Sequence, residues 1–266
     1  MKIDIVITAY NRRDKVCRAI DSAMDLAGRT GGKVIVVDDA SSDGTVLVLK
    51  DRYEDALESG RLLLNEHKVN QGVTAAKNTG FMASNAQWVI FLDSDDSLIQ
   101  AKLNSAIKIL SENIKAAIIF FRCSNNAGNI VGRSFSNEKW LSIAEYVEHT
   151  SYGEVLTAIN RKMIVTEPYI GELRGYEGLG CARIIRDYGD VLLSNLVLRE
   201  YDQSGNDRLS NGWGFAKRLG KLAKGHILFL KEFYSYMILS RKIKYLVKII
   251  TYSFIYFFVK ALGKNK

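Results

Sequence analysis

The sequence predicts an α/β protein, a mostly parallel sheet flanked by helices, followed by a C-terminal helical appendage. Three observations carry this reading. Over the first 121 residues, short apolar β-branched runs alternate with segments of helical periodicity, and such alternation implies βα units around a parallel sheet. Two of those runs, Val36-Val37-Asp38-Asp39 and Phe91-Leu92-Asp93-Ser94-Asp95-Asp96, end abruptly in carboxylates. Ligands in open α/β sheets bind just beyond the carboxyl ends of such strands. From residue 211 onward the composition changes: 12 Lys and Arg face a single acid, Glu232, and 12 of the 27 aromatic residues gather there.

The elements follow in order. Residues 3–8 are apolar and β-branched, a first strand. Residues 12–27 carry Val16, Ala19, Ile20, Ala23 and Leu26 at helical spacing. Residues 33–37 make a second strand, and Ser42 or Asp43 is placed to cap a helix running to Ser59. A short strand at 62–64 leads into Asn70-Gln71-Gly72 and a helix over 73–84. Then come a strand at 88–92, a helix over 97–111 and a fifth strand at 116–121. Asn125-Asn126-Ala127-Gly128-Asn129 is a turn signal. Residues 141–149 and 178–188 have helical character, and 191–199 reads as a returning strand. Ser210-Asn211-Gly212 marks a boundary, after which 215–239 and 241–262 read as two helices. The expected organisation is a body of residues 1–210, in halves 1–121 and 122–210, with a tail over 211–266.

Composition narrows the function classes. With 266 residues, 47% of them hydrophobic, the chain suffices for one large α/β domain plus an appendage. The net charge of +8 is local, because the body holds 25 basic against 28 acidic residues. A near-neutral body with a basic, aromatic tail points to a surface-bound protein rather than a nucleic-acid binder, so no nucleic-acid partner is expected. Cys17, Cys123 and Cys181 are scattered, which fits inert thiols in a reduced, cytoplasmic setting. His67, His149 and His226 stand too far apart in sequence to suggest zinc. Met1-Lys2-Ile3-Asp4 runs straight into the first strand, so no signal peptide is expected.

Two strands that deliver acids to one sheet edge suggest a site for hydrogen-bond donors and a divalent cation. Asp93 and Asp95, two apart at a strand end, point to the same side. Together with Ile7-Thr8-Ala9-Tyr10-Asn11-Arg12, Ser41-Ser42-Asp43-Gly44-Thr45 and the block Asn70 to Gly80, these runs resemble the family 2 glycosyltransferases. That family has the Rossmann-like GT-A fold and uses nucleotide-sugar donors. The resemblance implies donor contacts from Thr8, Tyr10 and Arg12 after the first strand. It implies Asp39 as acceptor for a uracil imino hydrogen, which suits an ionised carboxylate. Lys77 stands where the family more often has arginine; it keeps the charge and loses the planar fork. Asp93-Ser94-Asp95 matches the Asp-X-Asp signature, with Asp93 assigned to the ribose and Asp95 to Mn²⁺ or Mg²⁺. Asp96 either supports the metal through water or caps the next helix, and Asp43 reads as an N-cap.

An inverting transfer also needs a carboxylate to take the acceptor's hydroxyl proton. The family supplies it from a Glu-Asp pair opening a helix. Here Gly175-Tyr176-Glu177-Gly178-Leu179 keeps the glutamate, and Gly178 replaces the usual aspartate. Glu177 is the candidate base, with Glu172 and Asp187 in reserve. In the polar loop at 201–210, Arg208 is assigned to the diphosphate, and Asp202 or Asp207 to the metal shell. The implied activity is transfer from a UDP-hexose or UDP-N-acetylhexosamine to a saccharide, lipid-linked acceptor in bacterial surface-polysaccharide assembly. The basic and aromatic residues over 241–262 fit a helix lying in a membrane interface at the inner face, or one packed on the body or on another subunit. Two rival readings are a nucleotidyltransferase, whose glycine-rich basic loop after the first strand is missing, and a non-catalytic assembly partner, favoured by Gly178.

Overall fold

β1 (Ile3–Ala9) is a seven-residue run buried throughout, as expected for a strand with helices on both faces. Ile3, Ile5 and Ile7 enter one core layer with Ile20, Leu26, Trp88, Leu103 and Leu110. Val6 enters the opposite layer with Ile35, Phe81, Val89, Phe91 and Ile185. The two-residue period therefore operates within an unbroken apolar run. The computed structural model describes residues 1–132, 135–148, 153–202 and 212–261, with side chains from 218 onward in the last segment.

β1 pairs in parallel with β2 (Val34–Asp38) and β4 (Trp88–Asp93), and β2 with β3 (Leu62–Glu66). Past β4 the sheet changes direction. β8 (Val155–Asn160) lies antiparallel between β4 and β6 (Ile118–Asn125), and β9 (Val191–Tyr201) runs parallel to β6. β5 (Ser97–Leu98) and β7 (Lys139–Leu141) both pair antiparallel with β9. The order is β3-β2-β1-β4-β8-β6-β9-β5. The sheet is thus continuous across residue 121, and the two halves of the body share it.

The helices are α1 (Val16–Thr30), α2 (Thr45–Arg52), α3 (Glu54–Glu58), α4 (Val73–Ala83), α5 (Leu103–Glu112), α6 (Ile143–Glu148), α7 (Glu177–Tyr188), α8 (Gly212–Phe233) and α9 (Leu239–Ala261). Two expectations are corrected. The helix expected to reach Ser59 breaks at Tyr53, which leaves helical geometry while its hydroxyl donates to Asp21 Oδ1 at 2.7 Å and Cys17 O at 3.1 Å. The helix expected from residue 97 begins only at Leu103. Ser97 and Leu98 are instead drawn into the sheet by β9, and Leu98 N–H donates to Ser22 Oγ at 3.0 Å. The turn at 125–129 forms, closed by Asn125 N–H donating to Asn129 O at 2.8 Å.

The tail is docked on the body. Phe229, Phe233 and Met237, from α8 and the short turn after it, and Tyr245 of α9 form a cluster with Val147, Leu173, Leu179 and Ala182. Glu232, the tail's one acid, accepts from Arg183 Nε on α7 at 2.8 Å. Tyr245, Ile249, Tyr252, Tyr256 and Val259, which share one helical face, are all buried or half-buried, whereas Ile250, Phe254, Phe257 and Phe258 are exposed.

Candidate active site

The loops after β1 and β2 are stitched together. Asn11 and Ala40 both adopt left-handed backbone (φ 53° and 65°), a conformation non-glycine residues hold only when neighbours enforce it. Asn11 N–H donates to Ser41 Oγ at 2.8 Å, and Ser42 N–H returns a bond to Asn11 Oδ1 at 2.9 Å. Arg12 N–H donates to Thr45 Oγ1 at 3.0 Å. Asp43 accepts from Arg13 N–H at 3.1 Å and Thr45 N–H at 3.0 Å, so it ties both loops together, and the N-cap of α2 is Gly44 rather than the expected Ser42 or Asp43. Thr8 is buried beside its strand partner Asp93, whereas Tyr10 is 48% exposed in the loop after β1. A ring held there offers a flat apolar face for a base.

Asp38 and Asp39 end β2, and their carboxylates turn to different tasks. Asp39 Oδ1 accepts from His67 Nδ1 and Gln71 N–H, both at 2.8 Å, and Oδ2 accepts from Gly72 N–H at 2.7 Å. It is buried and organises the loop before α4. Asp38 Oδ2 accepts from Ser41 N–H at 2.8 Å, while its buried Oδ1 has no hydrogen-bond donor among the described residues.

Lys77 projects from α4 into a set of carboxylates. Its Nζ lies 3.3 Å from Asp93 Oδ1 and 3.1 Å from Glu177 Oε1. Burial disfavours the ammonium, but those two charges outweigh it and hold Lys77 protonated. Asp93 also meets Arg199 Nη1 of β9 at 3.2 Å; against burial, the two cations keep its carboxyl below the usual range. Arg199 bridges onward to Asp96 at 3.2 Å and donates through Nε to Cys123 Sγ at 3.0 Å. Asp96 Oδ1 accepts from Asp202 N–H at 2.9 Å, so Asp96 anchors the chain after β9. Burial, with Asp93 and Asp95 adding, raises Asp96 to about 7 against the pull of Arg199.

Asp95 behaves differently from Asp93. Burial and then the Asp93 charge push its carboxyl up, and Arg12 and Lys15 only partly offset this. No group of three or more His, Cys, Asp or Glu side chains converges among the described residues. Hard cations at phosphate sites commonly take one or two carboxylates, with waters and substrate oxygens completing the shell. Asp95, repelled by Asp93 beside it, fits that class of donor set.

Glu177 is the first residue of α7, and the glycine that follows it has room: a Cβ on Gly178 would meet only Tyr146 Oη, at 3.7 Å. The two reserve acids lie elsewhere. Glu172 pairs with Lys224 at 2.6 Å, and Asp187 with its neighbour Arg186 at 2.7 Å near the far end of α7. Tyr176 stands beside Glu177 and hydrogen-bonds through its hydroxyl to His226 Nδ1 on α8. Arg208 and Asp207 lie outside the described residues. The structure thus brings Lys77, Asp93 and Glu177 together, with Asp95 and Thr8 adjoining. Sequence reasoning missed His67, Arg199 and the Tyr176–His226 pair. Both His67 and Arg199 meet acids distant in sequence, Asp39 and Asp93.

Comparison with known proteins bears on the whole arrangement. The family model for glycosyl transferase family 2 matches residues 4–163. The succinoglycan biosynthesis protein ExoO of Rhizobium meliloti is 35% identical over 40% of this chain and 29% of its own length. The GalNAc(5)-diNAcBac-PP-undecaprenol beta-1,3-glucosyltransferase of Campylobacter jejuni is 24% identical over 66% of this chain and 57% of its own. This chain spans 15–29% of the length of several curated relatives that it matches. Among solved structures, S. aureus TarS 1-349 in complex with UDP-GlcNAc superposes with a TM-score of 0.66 at 14% identity, over 96% of this chain and 73% of that one. The Pyrobaculum calidifontis mannosyltransferase PcManGT with GDP-Man and Mn²⁺ gives 0.63 at 14% identity, over 98% and 75%.

Proposed function

The chain belongs to glycosyl transferase family 2 and has the GT-A fold, and we propose that it moves a sugar from a UDP-sugar to a lipid-linked saccharide with inversion. The donor is a UDP-hexose or UDP-N-acetylhexosamine, and the product feeds bacterial surface-polysaccharide assembly. One observation carries this reading. Lys77 holds Glu177, from the second half of the body, within one side chain of Asp93 at the end of β4. A general base beside the donor-binding acids is what direct displacement requires.

In this reading Tyr10 covers the base and Thr8 and Arg12 line the nucleotide. Asp39 faces the uracil edge and holds the Gln71-Gly72 turn against it. Asp93, fixed by Lys77 and Arg199, addresses the ribose. Mn²⁺ or Mg²⁺, held by Asp95 with Asp93 alongside, would neutralise the departing diphosphate, a role supported by the Mn²⁺ of the mannosyltransferase structure. Glu177 takes the proton from the acceptor hydroxyl as that oxygen attacks the anomeric carbon opposite the diphosphate. Arg208 and Lys77 supply positive charge to the diphosphate.

No described helix is long and apolar enough to cross a membrane. The outer face of α9 instead presents Ile250, Phe254, Phe257 and Phe258, with exposed Lys244 and Lys260 beside them, the make-up of an interfacial helix. We therefore place the protein peripherally at the inner face of the cell membrane, where it would meet a lipid-linked acceptor of the kind named for the Campylobacter relative. The deciding assay incubates the full chain with a panel of UDP-sugars and Mn²⁺ and measures released UDP. Release that disappears in Glu177→Gln supports the reading. No release with any donor, despite UDP binding, would leave a non-catalytic partner.

A further inference from the structure

Tyr176 and Glu177 are consecutive, and different helices hold them. Glu177, the first residue of α7, reaches α4, where Lys77 Nζ lies 3.1 Å from its Oε1. Tyr176, the residue just before α7, reaches α8 instead. Its hydroxyl is hydrogen-bonded to His226 Nδ1. Its ring stands edge to face with the rings of His226 and Phe229, at centroid distances of 5.1 and 6.5 Å. The α8 backbone is shaped to receive that ring, because a Cβ on Gly225 would lie 2.8 Å from Tyr176 Cγ and 2.9 and 3.0 Å from its Cδ atoms. The tyrosine ring occupies the space that a side chain on Gly225 would need.

The start of α7 has little stiffness of its own. Tyr176 stands at its N-cap position and makes no side-chain capping bond, so the first amides of the helix lack the partner that a serine or aspartate would give them. Gly178 follows Glu177, and a glycine inside a helix leaves the backbone with more freedom to lose. The ring of Tyr176 restrains this turn from outside. The restraint continues outward, since His226 packs against Tyr245 and Tyr252 of α9 at 5.2 and 5.4 Å. Farther along α7, Arg183 Nε donates to Glu232 of α8 at 2.8 Å. A general base has to be held close to its productive geometry, and about 1 Å of displacement can cost about 10²-fold in rate.

We propose that α8 positions the candidate base through Tyr176. The ring, seated on Gly225 and tied to His226, fixes the residue that precedes Glu177, and Lys77 then fixes the carboxylate itself. Tyr176 and His226 are positioning residues that act through Glu177, and the proposal rests on the reading of Glu177 as the base. The helical appendage is then a working part of the catalytic half of the body, whatever surface its outer face meets.

The test measures UDP release from UDP-sugars with Mn²⁺ by the full chain, beside UDP affinity by calorimetry. Gly225→Ala drives a methyl group into the ring and should lower turnover by about 10²-fold, with UDP affinity within about twofold of wild type. Tyr176→Phe keeps the ring and loses only the bond to His226. It should lower turnover by about threefold to tenfold, and it keeps the test valid if the alanine variant fails to fold. In a Glu177→Gln background neither substitution should reduce the residual turnover further, because the group they position is gone. Equal losses in both backgrounds would make the contact merely structural and overturn the proposal, as would full turnover in Tyr176→Phe. Wild-type turnover in Glu177→Gln alone would remove the base reading and the proposal with it. If no donor turns over, crystal structures of wild type and Gly225→Ala decide. A Glu177 carboxylate displaced by about 1 Å or more from its place beside Lys77 supports the proposal, and superposable carboxylates overturn it.

Discussion

Lys77, with its side chain only 12% exposed, separates two carboxylates, so its removal acts on stability and chemistry together. Lys77→Met leaves Asp93 and Glu177 facing each other without their shared cation. Breaking a buried pair costs about 3–5 kcal/mol, and the partial exposure of Asp93 lowers the expectation to about 1–3 kcal/mol. Chemical denaturation should show that loss, and Lys77→Arg, which keeps the charge, should recover most of it. Glu177→Gln keeps size and hydrogen bonding but cannot accept a proton. Donor binding should persist while transfer falls by about 10²–10⁴-fold, measured as turnover against UDP affinity. Equal turnover of wild type and the glutamine variant would move the base elsewhere. The residues proposed for the site were legible to different degrees. Asp93, Asp95 and Asp39 stand at the ends of parallel strands, where position alone announces a site. Arg199 was not legible as a partner of Asp93, because its meaning depends on β9 lying beside β6 and β5 rather than on its neighbours in sequence. His67 was hidden for a similar reason, as its partner Asp39 lies 28 residues away.

At the scale of elements, the parallel half of the sheet was readable because each apolar run is bounded by turn formers and followed by a periodic helix. β8 was not, because residues 155–160 are a short run whose two partners are both distant in sequence and antiparallel. Helix periodicity fared better: the face of α9 holding Tyr245, Ile249, Tyr252, Tyr256 and Val259 is real, and it turns inward onto α8 and the body. His226 sits where the helices meet, hydrogen-bonded to Tyr176 and packed against the rings of Tyr245 and Tyr252. Burial first, and then the Lys248 charge, lower its pKa from 6.5 to about 4. At His226 the unfolded chain thus binds a proton between those values that the folded chain does not, so this group's contribution to stability falls as pH drops from about 6.5 to about 4 and levels off below. Thermal melts of wild type and His226→Phe across that window isolate the effect: relative to wild type, the variant should gain stability as pH drops. A pH slope identical in wild type and variant would mean that His226 carries none of the effect; Asp95 and Asp96, raised by burial, bind protons more readily in the folded chain and act in the opposite sense.

At the scale of the whole molecule, the basic aromatic tail has two faces with opposite fates, and this decides how membrane attachment is best tested. Removing α9 altogether would strip Tyr245 and Tyr252 from His226, and with them the support beneath Tyr176 and Glu177. Lost activity after truncation would then say nothing about membranes. Substitution of the outer face alone avoids this, because Phe254 is 71% exposed and Phe257 and Phe258 are exposed beside it. Phe254→Ser, Phe257→Ser and Phe258→Ser together should leave the melting temperature unchanged, since those rings contribute little to the folded core. Burying a phenylalanine side chain is worth about 1.5–3 kcal/mol when complete. Even half of that for three rings, about 2 kcal/mol or more in all, predicts roughly a fortyfold or greater loss of partitioning onto anionic vesicles. The residual binding should be salt-sensitive, because the exposed Lys244 and Lys260 remain, and basic residues near an anionic surface contribute about 1 kcal/mol each. Co-sedimentation at low and high salt reads both effects separately. Equal sedimentation of wild type and the triple variant would exclude the outer face of α9 as a membrane anchor. A shift of wild type alone to a larger species without lipid would assign that face to a second copy of the chain.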